Sequence, residues 1–219
     1  MNLNDTFTTW SAGPSRSLDL TVLLETTADM ARRLPRIRKA LEEALRGLRR
    51  QGRHVRVGVV CYRDHGDEAT GYVTTGRDLN ANVVNTIDLI RDTAHGVGGD
   101  GGCALECALA RAAGHSWRGD ADRAILVIGS RPPHGAGMNR FRTCPNRRDY
   151  RVEIDQLRRR GIRVHTLAVG RRLETRRVFE WMAAETEGED RRLVDADDIG
   201  ELLADVTDPR RRAFKALSA

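Results

Sequence analysis

The chain has 219 residues, a formal net charge of +6 at pH 7 and 40% hydrophobic residues. That length can bury one sizeable core without disulfides, and the composition excludes disordered, collagenous and disulfide-stapled classes. No apolar run nears the ~20 residues of a membrane span and the first 16 residues hold no apolar leader, so the expected address is the cytoplasm, with no membrane partner. All basic residues except Lys39 and Lys215 are arginine, scattered along the chain among 31 acids. Such scatter reads as a solvated surface, since a nucleic-acid footprint concentrates its basic residues. The four cysteines (Cys61, Cys103, Cys107, Cys144) lack zinc-finger spacing and are expected to be reduced thiols.

Taken in chain order, Leu18 to Leu24 reads as a strand buried on both faces, as in parallel sheets flanked by helices. It stops at Glu25, Thr26, Thr27 and Asp29, hard oxygen groups at the carboxyl end of a strand, where open α/β sheets hold ligands. Met30, Leu34, Ile37, Leu41, Leu45 and Leu48 predict an amphipathic helix of about 20 residues ending near Gly52. Val55 to Tyr62 is a second strand, and the turn from Asp64 to Asp67 leads to a short partner strand over 71–75, giving a hairpin. Val83, Ile87 and Ile90 mark a second helix. A glycine-rich loop over 96–102 precedes a small-residue helix through Leu105, Ala108 and Ala112. A strand over 123–129, a helix through Tyr150, Ile154 and Leu157, and a strand over 162–169 follow. The helix of Val178, Phe179 and Met182, a weak strand over 191–194 and a helix over 199–206 complete the pattern. Alternation of this kind predicts an α/β fold, an open and mostly parallel doubly wound sheet with one antiparallel edge hairpin. Residues 1–17 read as an extension, 18–207 as the domain and 208–219 as a basic tail.

Several stretches carry a resemblance. The run from Val22 to Met30 places apolar residues before Glu25, Thr27 and Asp29. Val59 to His65 ends a strand in Tyr62, Arg63, Asp64 and His65. Gly98 to Gly101 is followed by a strand from Ile125 that leads through Ser130 and Arg131 to His134 and Gly135. Phe179 to Gly188 and Val194 to Leu203 close the set. In this order and spacing they resemble a von Willebrand factor type A domain, of the type that accompanies alpha-kinases and related bacterial proteins, over residues 18–206. The resemblance implies a Rossmann-like fold and an adhesion site in which a strand-end acid, two hydroxyls, a loop threonine and an acid after the fourth strand hold Mg²⁺, with a partner's carboxylate completing the shell. By position, Glu25 stands for the acid, Thr27 and Asp29 for the two hydroxyls, Asp100 for the loop ligand and Ser130 for the last acid. The site is therefore altered at most positions. Mg²⁺ needs a near-ideal octahedron at about 2.0–2.1 Å, and Ca²⁺ tolerates looser cages, so these are the ions such a site would take. Glu25 is one methylene too long, and Asp29 would fill the place of the partner's acid. Read without the resemblance, Thr26 to Asp29 fits a capping box whose acid complements the helix dipole.

The other constellations are weaker. The loop over 96–102 lacks the lysine of a P-loop, and Asp100 opposes an anion. Asp64 and His65 read as an ion-pair network fixing the hairpin, with general-base chemistry as the second reading. Cys103 and Cys107, four residues apart, read as small buried residues, with a zinc site completed by His134 or Cys144 as the alternative. The long connection from Arg131 to Asp149 carries His134, Arg140 and Phe141, a composition suited to a protein contact or to stacking on a base. The expected function is a non-catalytic interaction module or adaptor in a bacterial multi-protein system. It would dock a protein partner around Glu25, Thr27, Asp29, Asp100 and Ser130, with Asp64, His65, Arg131, His134, Arg140 and Phe141 as the rim. Nucleic-acid binding by arginines of the 131–148 loop and the tail is the alternative.

Overall fold

The computed structural model describes residues 17–49, 54–96, 101–136, 143–194 and 197–207. Asp100, Arg140, Phe141, the tail from 208 and nearly all of the amino-terminal extension lie outside them. Six strands form one sheet in the order β3-β2-β1-β4-β5-β6. These are β1 (Ser17–Glu25), β2 (His54–Tyr62), β3 (Thr74–Asn80), β4 (Asp122–Gly129), β5 (Arg163–Val169) and β6 (Asp190–Leu193). All neighbours pair in parallel except β2 and β3, which form the antiparallel edge hairpin. The doubly wound sheet expected from the sequence is present.

Leu18, Leu20, Val22 and Leu24 of β1 point to one face, where they meet α1 (Leu34–Arg49), α2 (Val83–Asp92) and α6 (Asp197–Thr207). Leu23 points to the other, against α3 (Leu105–Ala113), α4 (Tyr150–Arg159) and α5 (Leu173–Glu185). The period of two along a strand explains how one apolar run feeds both cores. Among the described residues no helix is long and apolar enough to cross a membrane.

Two local expectations need correction. The helix after β1 does not run on from Met30. Ala28–Met30 is a single 3-10 turn, and α1 begins at Leu34. Pro35 explains the break: its ring would clash with the carbonyl four residues back, at Ala31. The capping box is also absent. Thr27 occupies the N-cap of the 3-10 turn without a side-chain cap bond. The Thr26 hydroxyl instead bonds the Tyr62 carbonyl at 3.1 Å and Tyr72 Oη at 2.9 Å.

Candidate functional site

Strand order reverses at β1: β2 and β3 lie to one side, β4 to β6 to the other. The crevice above the carboxyl ends of β1 and β4 is where sheets of this kind present ligands. Register sets Glu25 at the last position of β1, one step beyond the Leu24–Ile128 pair, so its side chain reaches Ser130 just past β4. Glu25 is wholly buried. Its Oε1 accepts from the Thr27 hydroxyl and from Ser130 Oγ at 2.8 Å. Its Oε2 accepts from the backbone N–H of Ser130 at 2.5 Å and of Arg131 at 3.0 Å. Burial pushes the Glu25 carboxyl above its usual range, and these four bonds pull against that shift. The extra methylene of glutamate is what carries the carboxylate across to the amides beyond β4. Gly129 makes room for it: a Cβ there would stand 2.9 Å from Glu25 Oε2 and 2.5 Å from Tyr62 Oη.

A cation sits beside this carboxylate, supplied by the chain itself. Arg131 Nε donates to Asp29 Oδ2 at 2.9 Å, and Arg172, in the turn before α5, reaches the same oxygen at 3.0 Å. The Arg131 hydrogen bond is the main reason the Asp29 carboxyl lies below its usual range, with Arg172 adding to it. Arg131 is itself buried, and its Nη1 has no hydrogen-bond partner. Sequence positions Glu25, Thr27, Asp29 and Ser130 are thus brought together. They do not form a ligand set that fits Mg²⁺ or Ca²⁺. Each Glu25 oxygen already accepts two hydrogen bonds, both hydroxyls donate into it, and a fixed guanidinium holds Asp29.

The expected rim residues that the structure describes turn inward. Asp64, Arg131 and His134 are buried, and the His65 side chain is 6% exposed. His134 Nε2 lies 3.2 Å from Asp64 Oδ1, and His134 Nδ1 lies 3.1 Å from Glu106 Oε1, which His65 Nε2 approaches to 3.2 Å. Burial alone would lower the His134 pKa, but its bonds to Asp64 and Glu106 outweigh that and lift it to about 10. Burial likewise would raise Glu106, and the His134 and His65 bonds draw it below its usual value. These residues therefore form a buried ionic network rather than an exposed rim in this structure. The reason is Pro133, which makes a parallel bridge with Cys103 and draws the chain after β4 down over the start of α3.

What the crevice shows to solvent is different. The side chains of Asp29 and Arg172 are 37% and 45% exposed, and Leu173, next to Arg172, is 58% exposed. Arg172, Leu173 and Glu106 were not singled out from the sequence. The charge following β4 was a usable signal: Ser130 and then Arg131 stand where an acid was expected, opposite the acid of Asp29.

This fold, with its switch-point crevice and strand-end acid, defines an α/β module of the adhesion-domain class. A family model, the von Willebrand factor type A domain, matches residues 19–208, and the chain belongs to that family of interaction and adhesion modules. No curated protein matches the chain. Among solved structures it is similar to the pilus adhesin SpaC from Lactobacillus rhamnosus GG in its open conformation, with a TM-score of 0.64 and 11% identity. That likeness covers 89% of this chain and 30% of the adhesin, so the chain spans under a third of the adhesin's length and shares its fold.

Proposed function

We propose that this chain is a protein-docking module whose recognition edge uses arginine where the family's adhesion site uses a bound cation. The supporting observation is the convergence of Arg131 and Arg172 on Asp29 at the mouth of the β1–β4 crevice. The two guanidinium groups offset the carboxylates of Asp29 and buried Glu25, and the half-exposed Arg172 places positive charge outermost, where an adhesion ion would meet a partner's acid. Arg172 is solvent-facing and forked, suited to a bidentate bond with a partner carboxylate, and Leu173 beside it offers an apolar anchor. Buried Glu25 and its donors hold this edge rigid.

The test is capture from cell extract desalted of Mg²⁺ and Ca²⁺, with and without these ions added back, by wild-type chain and by an Arg172→Glu, Leu173→Ser variant. The expected result is a protein captured by the wild type in both conditions and reduced at least about tenfold by the variant, in line with loss of a central charged contact. Capture that needs a divalent ion, or that survives the variant, overturns the proposal. Capture lost on nuclease treatment and falling steeply with log[salt] would transfer the function to nucleic-acid binding.

A further inference from the structure

Independently of that docking edge, we infer a structural zinc site formed by Cys107, Cys144, His65 and Glu106. Their ligand atoms all lie within 4.8 Å of one another. Cys107 Sγ is 3.6 Å from Cys144 Sγ, and His65 Nε2 is 3.5 Å from Cys107 Sγ, 3.4 Å from Cys144 Sγ and 3.2 Å from Glu106 Oε1. A tetrahedral Zn²⁺ with bonds of about 2.3 Å to sulfur and about 2.0–2.1 Å to nitrogen and oxygen requires edges of about 3.8 Å for S–S, 3.6 Å for S–N and 3.3 Å for N–O. Four of the six edges match these within about 0.2 Å, in the right order of length, and the two from Glu106 to the sulfurs lie within 4.8 Å.

Hydrogen bonding accounts for only part of this crowding. His65 Nε2 carries either one N–H or one lone pair, yet three groups crowd it at bonding distance. A central ion removes the conflict, because all four atoms then point at one shared centre rather than at each other. The ligand set also fixes the metal. Two thiolates with an imidazole and a carboxylate in a tetrahedron suit Zn²⁺, and four protein ligands make a closed, structural site.

The surroundings are those of a supported metal centre. The Glu106 Oε1 ligand atom is also held by His134 Nδ1 at 3.1 Å, and Oε2 accepts from the His134 backbone N–H at 3.3 Å. The other ring nitrogen of His65 makes no hydrogen bond, and the exposed Glu68 carboxylate stands 3.7 Å from it. Asn146 Nδ2 approaches Cys107 Sγ at 3.4 Å. The four ligands come from the β2–β3 turn, α3 and the segment before α4, so the ion would clasp three otherwise separate pieces of chain over one end of the sheet.

The experiment uses the full chain purified under reductant without chelator, with Zn²⁺ measured by elemental analysis and Co²⁺ as the spectroscopic probe. The expected content is about one Zn²⁺ per chain, falling at least about tenfold in the Cys107→Ser, Cys144→Ser double variant. Replacement by Co²⁺ should give the intense visible bands of a tetrahedral site and a thiolate charge-transfer band in the near ultraviolet. If the double variant fails to fold, the wild-type Co²⁺ spectrum decides alone. Three results would overturn the site: folded, reduced wild type that takes up neither ion; zinc retained by a folded double variant; or a chain two hydrogens lighter, carrying a Cys107–Cys144 disulfide.

Discussion

A carboxylate closed in at a strand end needs either a cation or a full set of donors, and Glu25 has the donors. Two acids facing each other across β1 and β4 would repel without an ion between them, whereas Glu25 and Ser130 bond directly. The substitutions at 25 and 130 thus compensate one another. The sequence displayed both as departures from the family pattern, but the compensation depends on the reach of one methylene across a register, which only coordinates supply. Exchange of Glu25 for glutamine puts an N–H₂ group against donors, and should lower stability by about 2 kcal/mol in urea denaturation. Gly129→Ala drives a methyl into Tyr62 Oη and Glu25 Oε2 and should cost a similar amount, about 1–3 kcal/mol, through overpacking at the same point. Unchanged midpoints for both variants would mean that this junction contributes little to the fold.

Among the elements, the central parallel strands were legible because their burial on both faces writes a continuous apolar run. The edge strand β3 was placed too early. It is half exposed and holds Gly76, Arg77 and Asp78, so neither alternation nor an apolar run marks it. The amino end of β1 hides a polar device of a different kind. Asp19 is fully buried and accepts from Arg56 Nη2 at 2.6 Å and from Arg118 Nη2 at 2.6 Å, tying β1 to β2 and to the turn before β4. Burial alone would raise its carboxyl pKa, but the Arg56 and Arg118 bonds outweigh it and hold it below the ordinary 3.8. A folded-state value below the unfolded one means that the stabilisation is complete above the unfolded pKa and is lost as pH falls below about 3.9 through the folded value. Asp19→Asn should therefore cost about 3 kcal/mol at pH 7 and make the acid limb of a stability–pH curve shallower. An acid limb identical to that of the wild type would show that Asp19 is not the titrating group.

At the scale of the whole molecule, the fold brings two kinds of site to one end of the sheet. The family pattern made the first legible down to Glu25, Thr27, Asp29 and Ser130. It gave no sign that Arg131 and Arg172 would close over Asp29, because Arg172 lies 143 residues along the chain from that acid. The cysteine cluster was half visible. Cys107 and Cys144 were in view, but Cys103 turns away to the carbonyls of Arg131 and Pro132, and Glu106 and His65 complete the set instead. Helical spacing pairs Cys103 with Cys107, whereas α3 begins only at Leu105, so the two thiols never share a helix face. The view that arginine has replaced the adhesion cation is tested most directly by calorimetric titration of the purified chain with Mg²⁺, Ca²⁺ and Mn²⁺. No saturable heat should be seen with any of the three. Saturable binding in the wild type that disappears in Glu25→Gln would place a divalent ion in the crevice and contradict it.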